Sequence, residues 1–258
     1  MQWNRRTGSV ALVVCVVLYT VLTQSSFGGN DASCGLGLPP DAPGFAEAQA
    51  REEAEVQRSG FRRVCAANLN RFAISFEPLD MATSGLAFEP VDVTRTPFAG
   101  FESLGGKAEA VNRTKSRLYR GFRMPGGHTL TLFEHDLSAD GARLWRDPKD
   151  EPERVNGQPA RLSVLETNTG KAVSLLSWVE GRRGYELWID ANVARLPIRE
   201  QLFNLAASLP ASIPACPNEP PPKPVRLDAN GRPVFEPFPD EITEEDEARF
   251  KSEQPCKR

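Results

Sequence analysis

Two aromatic-rich apolar runs on either side of a Gly-Arg-Arg-Gly turn, with one short amphipathic helix behind them, constrain this chain more than any other stretch. Residues 172–180 read Ala-Val-Ser-Leu-Leu-Ser-Trp-Val-Glu and residues 185–190 read Tyr-Glu-Leu-Trp-Ile-Asp. β-Branched and aromatic side chains fit a pleated, half-buried surface, so the pattern predicts an antiparallel hairpin. Gly181 and Gly184 are expected to give the tip its positive φ angles, leaving Arg182 and Arg183 as exposed cations on a tight turn. In the second strand Tyr185, Leu187 and Ile189 share one face, while Glu186, Trp188 and Asp190 share the other. One side is therefore expected to be core and the other mostly wet. Pro197 sits where a first helical turn tolerates proline. Ile198, Leu202, Leu205, Ala206 and Leu209 then recur at helical spacing until Pro210 stops the winding, and this helix is expected to lie across the sheet.

The strands that complete the sheet precede the hairpin. Residues 118–123 and 129–136 read as consecutive strands across the turn Met124-Pro125-Gly126-Gly127. Residues 161–166 read as another, entered through Val155-Asn156-Gly157-Gln158 and left through Thr167-Asn168-Thr169-Gly170. Lys107-Ala108-Glu109-Ala110-Val111 adds a further strand, and Arg71-Phe72-Ala73-Ile74-Ser75-Phe76 alternates in the same way. The predicted class is α+β: an antiparallel β-sheet of about five to seven strands packed by a C-terminal helix, with an N-terminal helical arm and a Pro-rich tail. In the arm, residues 41–64 turn helical, with Phe45, Ala46, Ala50, Ala54 and Val56 as a weak apolar stripe that docks on the body or on a partner, and Gly60 as a breaker. Nine prolines between Pro214 and Pro239 make the tail extended. The chain divides into residues 1–33, a signal peptide or N-terminal membrane anchor; 34–75, the helical arm; 76–210, the sheet-plus-helix domain; and 211–258, the Pro-rich acidic tail.

The leader sets the compartment. Arg5 and Arg6 precede an uncharged run from Val10 to Leu22, which is stable in a membrane and marks an export segment, cleaved or retained, with its positive end inside. The rest of the chain is then expected in the periplasm, anchored to the inner membrane and facing the periplasm, or secreted. In such an oxidising space Cys34, Cys65, Cys216 and Cys256 are expected to form disulfides. Four cysteines allow three pairings, and joining neighbours pairs Cys34 with Cys65 and Cys216 with Cys256. With two histidines and no closely spaced cysteines, no metal site and no cofactor are assigned. A net charge of -3 from 31 basic and 34 acidic side chains gives no overall pull toward nucleic acid.

Glu134-His135-Asp136 is the triplet with the most catalytic look, since a histidine beside carboxylates suits an oriented base or a metal ligand. On a strand, however, Glu134 and Asp136 face one side and His135 the other, which separates the partners. No Gly-x-Ser-x-Gly elbow is present, and Ser138 and Ser208 have no base at a motif spacing. Asp147-Pro148-Lys149-Asp150-Glu151 reads as solvated charge, and Asn112-Arg113-Thr114 has the N-glycosylation form. Trp178, Trp188 and Tyr185 are assigned to packing, and a partly apolar cleft between sheet and helix is where a ligand is expected.

The run Asn156-Gly157-Gln158-Pro159-Ala160, then Leu176-Ser177-Trp178-Val179-Glu180-Gly181, Tyr185-Glu186-Leu187 and a helix ending Leu205-Ala206-Ala207-Ser208-Leu209 resembles a bacterial extracytoplasmic domain. That domain is of unknown function, is found with anti-sigma factors, and is similar to lipoprotein-carrier and sigma-regulatory periplasmic folds. The resemblance covers residues 88–210. It implies a half-open antiparallel sheet wrapped over a helix and non-catalytic sensing or binding at the envelope. Only nine residues precede the apolar run, so the chain departs from the pattern in having no cytoplasmic sigma-binding domain ahead of it. The expected function is a non-catalytic exported envelope protein that binds a protein partner, with no catalytic residue assigned. The alternatives are an envelope hydrolase using His135 or His128, and a carrier of a small apolar ligand such as a lipid.

Overall fold

The computed structural model describes residues 42–111, 113–142, 144, 148–149, 151–217, 228–229, 234 and 243–245. The export segment, Cys34, Cys256, Asn112 and most of the tail lie outside the described residues.

The chain forms two compact units, Met1–Glu53 and Ala54–Arg258. Helix α1 (Phe45–Ser59) begins in the first and ends in the second. Gly60 stops it, with φ 77° and its N–H on the Val56 carbonyl, as the left-handed residue after a helix does. None of the helix residues is buried.

The second unit is built on one eight-stranded sheet. Its strands are β1 (Arg62–Arg63), β2 (Glu102–Val111), β3 (Thr114–Arg123), β4 (Thr129–Asp136), β5 (Glu153–Val155), β6 (Gln158–Glu166), β7 (Ala172–Glu180) and β8 (Arg183–Ile189). Their order is β1-β6-β7-β8-β4-β3-β2, with β5 beside β6. The fold is α+β, and the sheet is mostly antiparallel but mixed, because β1 runs parallel to β6. The count exceeds the expected five to seven because β1 and β5 are too short to show alternation. Residues 71–76 do not form the expected strand: a 3-10 turn at Asn70–Phe72 leads to an extended segment that meets β2 at Glu77 and Gly106.

Turn chemistry explains the hairpins. Asn156 and Gly157 have φ of 49° and 80°, and two consecutive positive φ values suit the two-residue β5–β6 connection to the right-handed twist of its strands. The β7–β8 turn is Gly181-Arg182 alone, closed by the Glu180–Arg183 pair, and Gly181 carries its positive φ of 60°. Gly184 is not a turn residue. It lies in β8, where an added Cβ would come within 2.9 Å of Leu144.

One face of the sheet carries Leu130, Leu132, Leu176, Trp178, Tyr185, Leu187 and Ile189, which join the main core. Helix α5 (Arg199–Ala207) covers it with Leu202, Leu205 and Ala206, starting just after Pro197 rather than at it. The other face is not mostly wet. Thr131 and Trp188 are buried, the Phe72 ring stands edge-on to Trp188 at 5.2 Å, and Phe76 lies so close over Gly121 that any Cβ there would meet its ring at 2.4 Å. Three short helices complete the unit: α2 (Ala66–Leu69), α3 (Leu79–Thr83) and α4 (Leu137–Asp140). Among the described residues no helix is long and apolar enough to cross a membrane.

Candidate functional site

Beyond Leu132 and Tyr185, the core face changes from hydrocarbon to charge. Glu134 and Asp136 continue the Leu130–Leu132 row of β4, and Arg183 continues the Tyr185–Leu187–Ile189 row of β8. All three are fully buried, at 0 % exposure. Arg120 joins from β3, so two guanidiniums meet two carboxylates. Glu134 Oε2 accepts from Arg183 Nη1 at 2.9 Å, and its Oε1 accepts from Arg120 Nη2. Asp136 Oδ2 accepts from Arg183 Nη2 at 3.0 Å, and its Oδ1 caps α4 through the N–H groups of Ser138 and Ala139. Burying a lone charge costs several kcal/mol, roughly, and a balanced, hydrogen-bonded set avoids most of that cost.

Most of the remaining bonds of this set go to backbone. Arg120 donates to the Val91 carbonyl, Arg183 donates to those of Glu89 and Ile213, and Glu134 accepts from the Val91 N–H. Asp136 accepts from the Ala215 N–H, and the Arg183 guanidinium lies 4.3 Å over the Phe88 ring. The charges thus fasten two loop segments, residues 88–91 and 213–216, onto the sheet. Burial pushes the Tyr185 phenol up to about 12, and the neighbouring Glu134 charge pushes the same way.

His135 points to the opposite face, as strand alternation requires, and does not touch the flanking carboxylates. Its Nε2 lies 2.8 Å from Asp140 Oδ2, which also accepts from Ser116 Oγ at 2.6 Å. Burial pushes the Asp140 carboxyl up, but the bonds from Ser116, His135 and the Ala142 N–H outweigh it and hold the group below its usual range. The carboxylate stands between serine and imidazole, whereas base-activated nucleophilic attack needs the imidazole between the other two. Ser138 Oγ is buried, donating to Asp136 and accepting from the Cys216 N–H. Ser208 Oγ donates to the Leu205 carbonyl. His128 pairs with Asp190 at 3.1 Å on the surface, where Asp190 also accepts from the Thr129 N–H. Among the described residues no three His, Cys, Asp or Glu side chains converge to hold a metal ion.

The two described cysteines sit far apart. Cys65 follows Val64, whose N–H bonds to the Glu166 carbonyl at the C-terminal end of β6; Cys216 bonds to Ser138, just past the C-terminal end of β4. The first location lies two residues past the level of Ile189 and the second level with Arg183, so the two are more than six residues apart along the strands. Six residues of strand span about 20 Å, against a Cα separation of at most about 7 Å in a disulfide. Cys65 and Cys216 are both disulfide-bonded, and this geometry rules out a bond between them. Of the three pairings of the four cysteines, it leaves the two that join each to Cys34 or Cys256.

Several expectations need correction. Arg183 is a buried strand residue, not an exposed tip cation, and only Arg182 belongs to the turn. Glu151 is not solvated charge: it is buried and pairs with Arg161 Nε at 2.9 Å. Trp178, by contrast, packs as assigned, buried and stacked 5.0 Å from Tyr185. Where a cleft beside the helix was expected, an open groove of about 390 Å³ lies between α5 and the 3-10 turn Pro97–Gly100, lined by Pro97, Phe101, Pro197 and Leu205 with Glu200, Gln201 and Asn204. The sequence reading missed Arg120, Asp140 and Ser116. Arg120 carried a signal, since it shares the strand parity of Leu118 and Phe122. The other two meet His135 only through the tight αL stop at Gly141 and the strand pairing.

Comparison with protein-family models, with curated proteins and with solved structures finds no match.

Proposed function

We propose that this chain is a non-catalytic, exported binding or sensing module of the cell envelope that works through a protein partner. The observation that carries the reading is how the reactive side chains of the sheet are spent. Glu134, Asp136, Arg120 and Arg183 hold loops through backbone bonds, and His135 and Ser116 both close on Asp140. A reaction centre keeps at least one such group open toward substrate. The disulfide-bonded state of Cys65 and Cys216 supports an oxidising compartment, and the arginine-flanked apolar leader supplies a route to it.

The test is fractionation of the source cells with thiol alkylation before and after reduction. The protein is expected in the envelope or medium, with Cys34, Cys65, Cys216 and Cys256 alkylated only after reduction. Non-reducing peptide mapping is expected to join Cys65 to Cys34 and Cys216 to Cys256. Recovery from the cytosol with free thiols would overturn the proposal.

A further inference from the structure

On the face opposite the main core, paired residues form three cross-strand rows about 7 Å apart. The first is Trp188–Thr131–Gly121, the second Glu186–Phe133–Tyr119–Lys107 and the third Gly184–His135–Arg117–Glu109. Phe72 and Phe76 cover Trp188 and Gly121 in the first row, and Leu144 lies over Gly184 at one end of the third. Between these covers Phe133, Tyr119, Lys107, Arg117 and Glu109 stay partly exposed. The Tyr119 and Phe133 rings, 4.7 Å apart, give this strip an aromatic floor.

The polar groups around the floor are engaged, with one exception. Glu109 accepts from the Tyr119 hydroxyl at 2.9 Å and lies 3.9 Å from Lys107 Nζ. Burial and that bond push the Tyr119 phenol above its ordinary value, so the hydroxyl remains a donor to Glu109. Asp140 is taken by His135 and Ser116, and Glu186 is engaged as well. The Arg117 guanidinium has no hydrogen bond and no ion pair among the described residues, and its Nε is buried with no acceptor. Such an orphaned donor calls for an acceptor, and the planar fork of a guanidinium matches a carboxylate in two parallel bonds. We propose that Arg117 binds the carboxylate of an acidic sugar, a hexuronic acid unit of a polysaccharide, whose ring lies on Tyr119 and Phe133. A pyranose ring turns a face of C–H groups to the electron-rich faces of aromatic rings and a rim of hydroxyls to Lys107 and Glu109. A flat aromatic acid has no such rim. This inference goes beyond the protein partner and does not rest on the envelope reading.

Calorimetric titration of the oxidised full chain with trigalacturonate, and with the uncharged galactose trimer, tests it. Trigalacturonate is expected to bind, and the neutral trimer to bind at least about tenfold more weakly. Arg117→Gln is expected to weaken trigalacturonate binding by a similar factor and to leave the thermal midpoint within about 2 °C of the parent, because the guanidinium makes no internal bond. Saturation-transfer NMR is expected to place sugar C–H protons against aromatic ring protons. Any of four results would overturn the proposal: no trigalacturonate binding at about 10 mM, equal binding of the two trimers, an Arg117→Gln protein that binds like the parent, or tighter binding of benzoate than of trigalacturonate.

Discussion

The two ends of the core face are closed by different means. Where that face is hydrocarbon, helix α5 brings Leu202, Leu205 and Ala206 into one cluster with Leu130, Leu187 and Ile189, and the packing is hydrocarbon on hydrocarbon. At the other end the covers are loops, and the sheet presents Arg120, Glu134, Asp136 and Arg183. A helix satisfies its own backbone groups and asks only for apolar contact. A loop brings bare carbonyls and N–H groups into the interior, where leaving them unpaired costs about 1–3 kcal/mol each. The buried charges are the partners those groups require, which explains why ions occupy positions whose strand parity is that of leucine.

This contrast predicts unequal responses to substitution. The largest belongs to the charged end. Glu134→Gln leaves Arg120 and Arg183 buried without a counter-charge and is expected to lower unfolding stability by about 3–5 kcal/mol in denaturant titration. A loss below about 1 kcal/mol would mean that water reaches the network. Leu187→Ala at the hydrocarbon end is expected to cost slightly less, about 2–4 kcal/mol, with an unchanged denaturant slope; a changed slope would show that the core face yields as a whole. The smallest concerns Asp140→Asn on the opposite face, about 1–2 kcal/mol at neutral pH from the weakened bonds to His135 and Ser116. Because the folded carboxyl titrates below its unfolded value of 3.8, its stabilisation is present above that pH and is lost as pH falls through the folded value. The gap between parent and variant should therefore narrow below about pH 4, and a gap that stays constant would remove the charge from the account.

Much of the sheet was legible because strand alternation is a local property. Strand β4 falls on residues 129–136 as read, β7 on residues 172–180 as read, and β8 begins two residues before the expected Tyr185. Those two residues matter most. Extending the Tyr185–Leu187–Ile189 parity back to Arg183 would have placed that cation in the core, but the glycine on each side of the arginine pair suggested a four-residue turn. The separation of His135 from Glu134 and Asp136 followed from the same parity. Its actual partner, Asp140, did not, because that contact depends on how the chain turns after β4.

The amino-acid sequence by itself determined most of the longer strands, the closing helix and the two-sided split of the acidic–histidine triplet, since each rests on residue spacing within one segment. The tertiary structure alone decided that the charges of β3, β4 and β8 meet, that loops rather than a helix cover them, and that Cys65 and Cys216 lie at opposite ends of the sheet. Those facts depend on strand order and register, which arise from pairing between segments distant in the chain and leave no mark in any one of them.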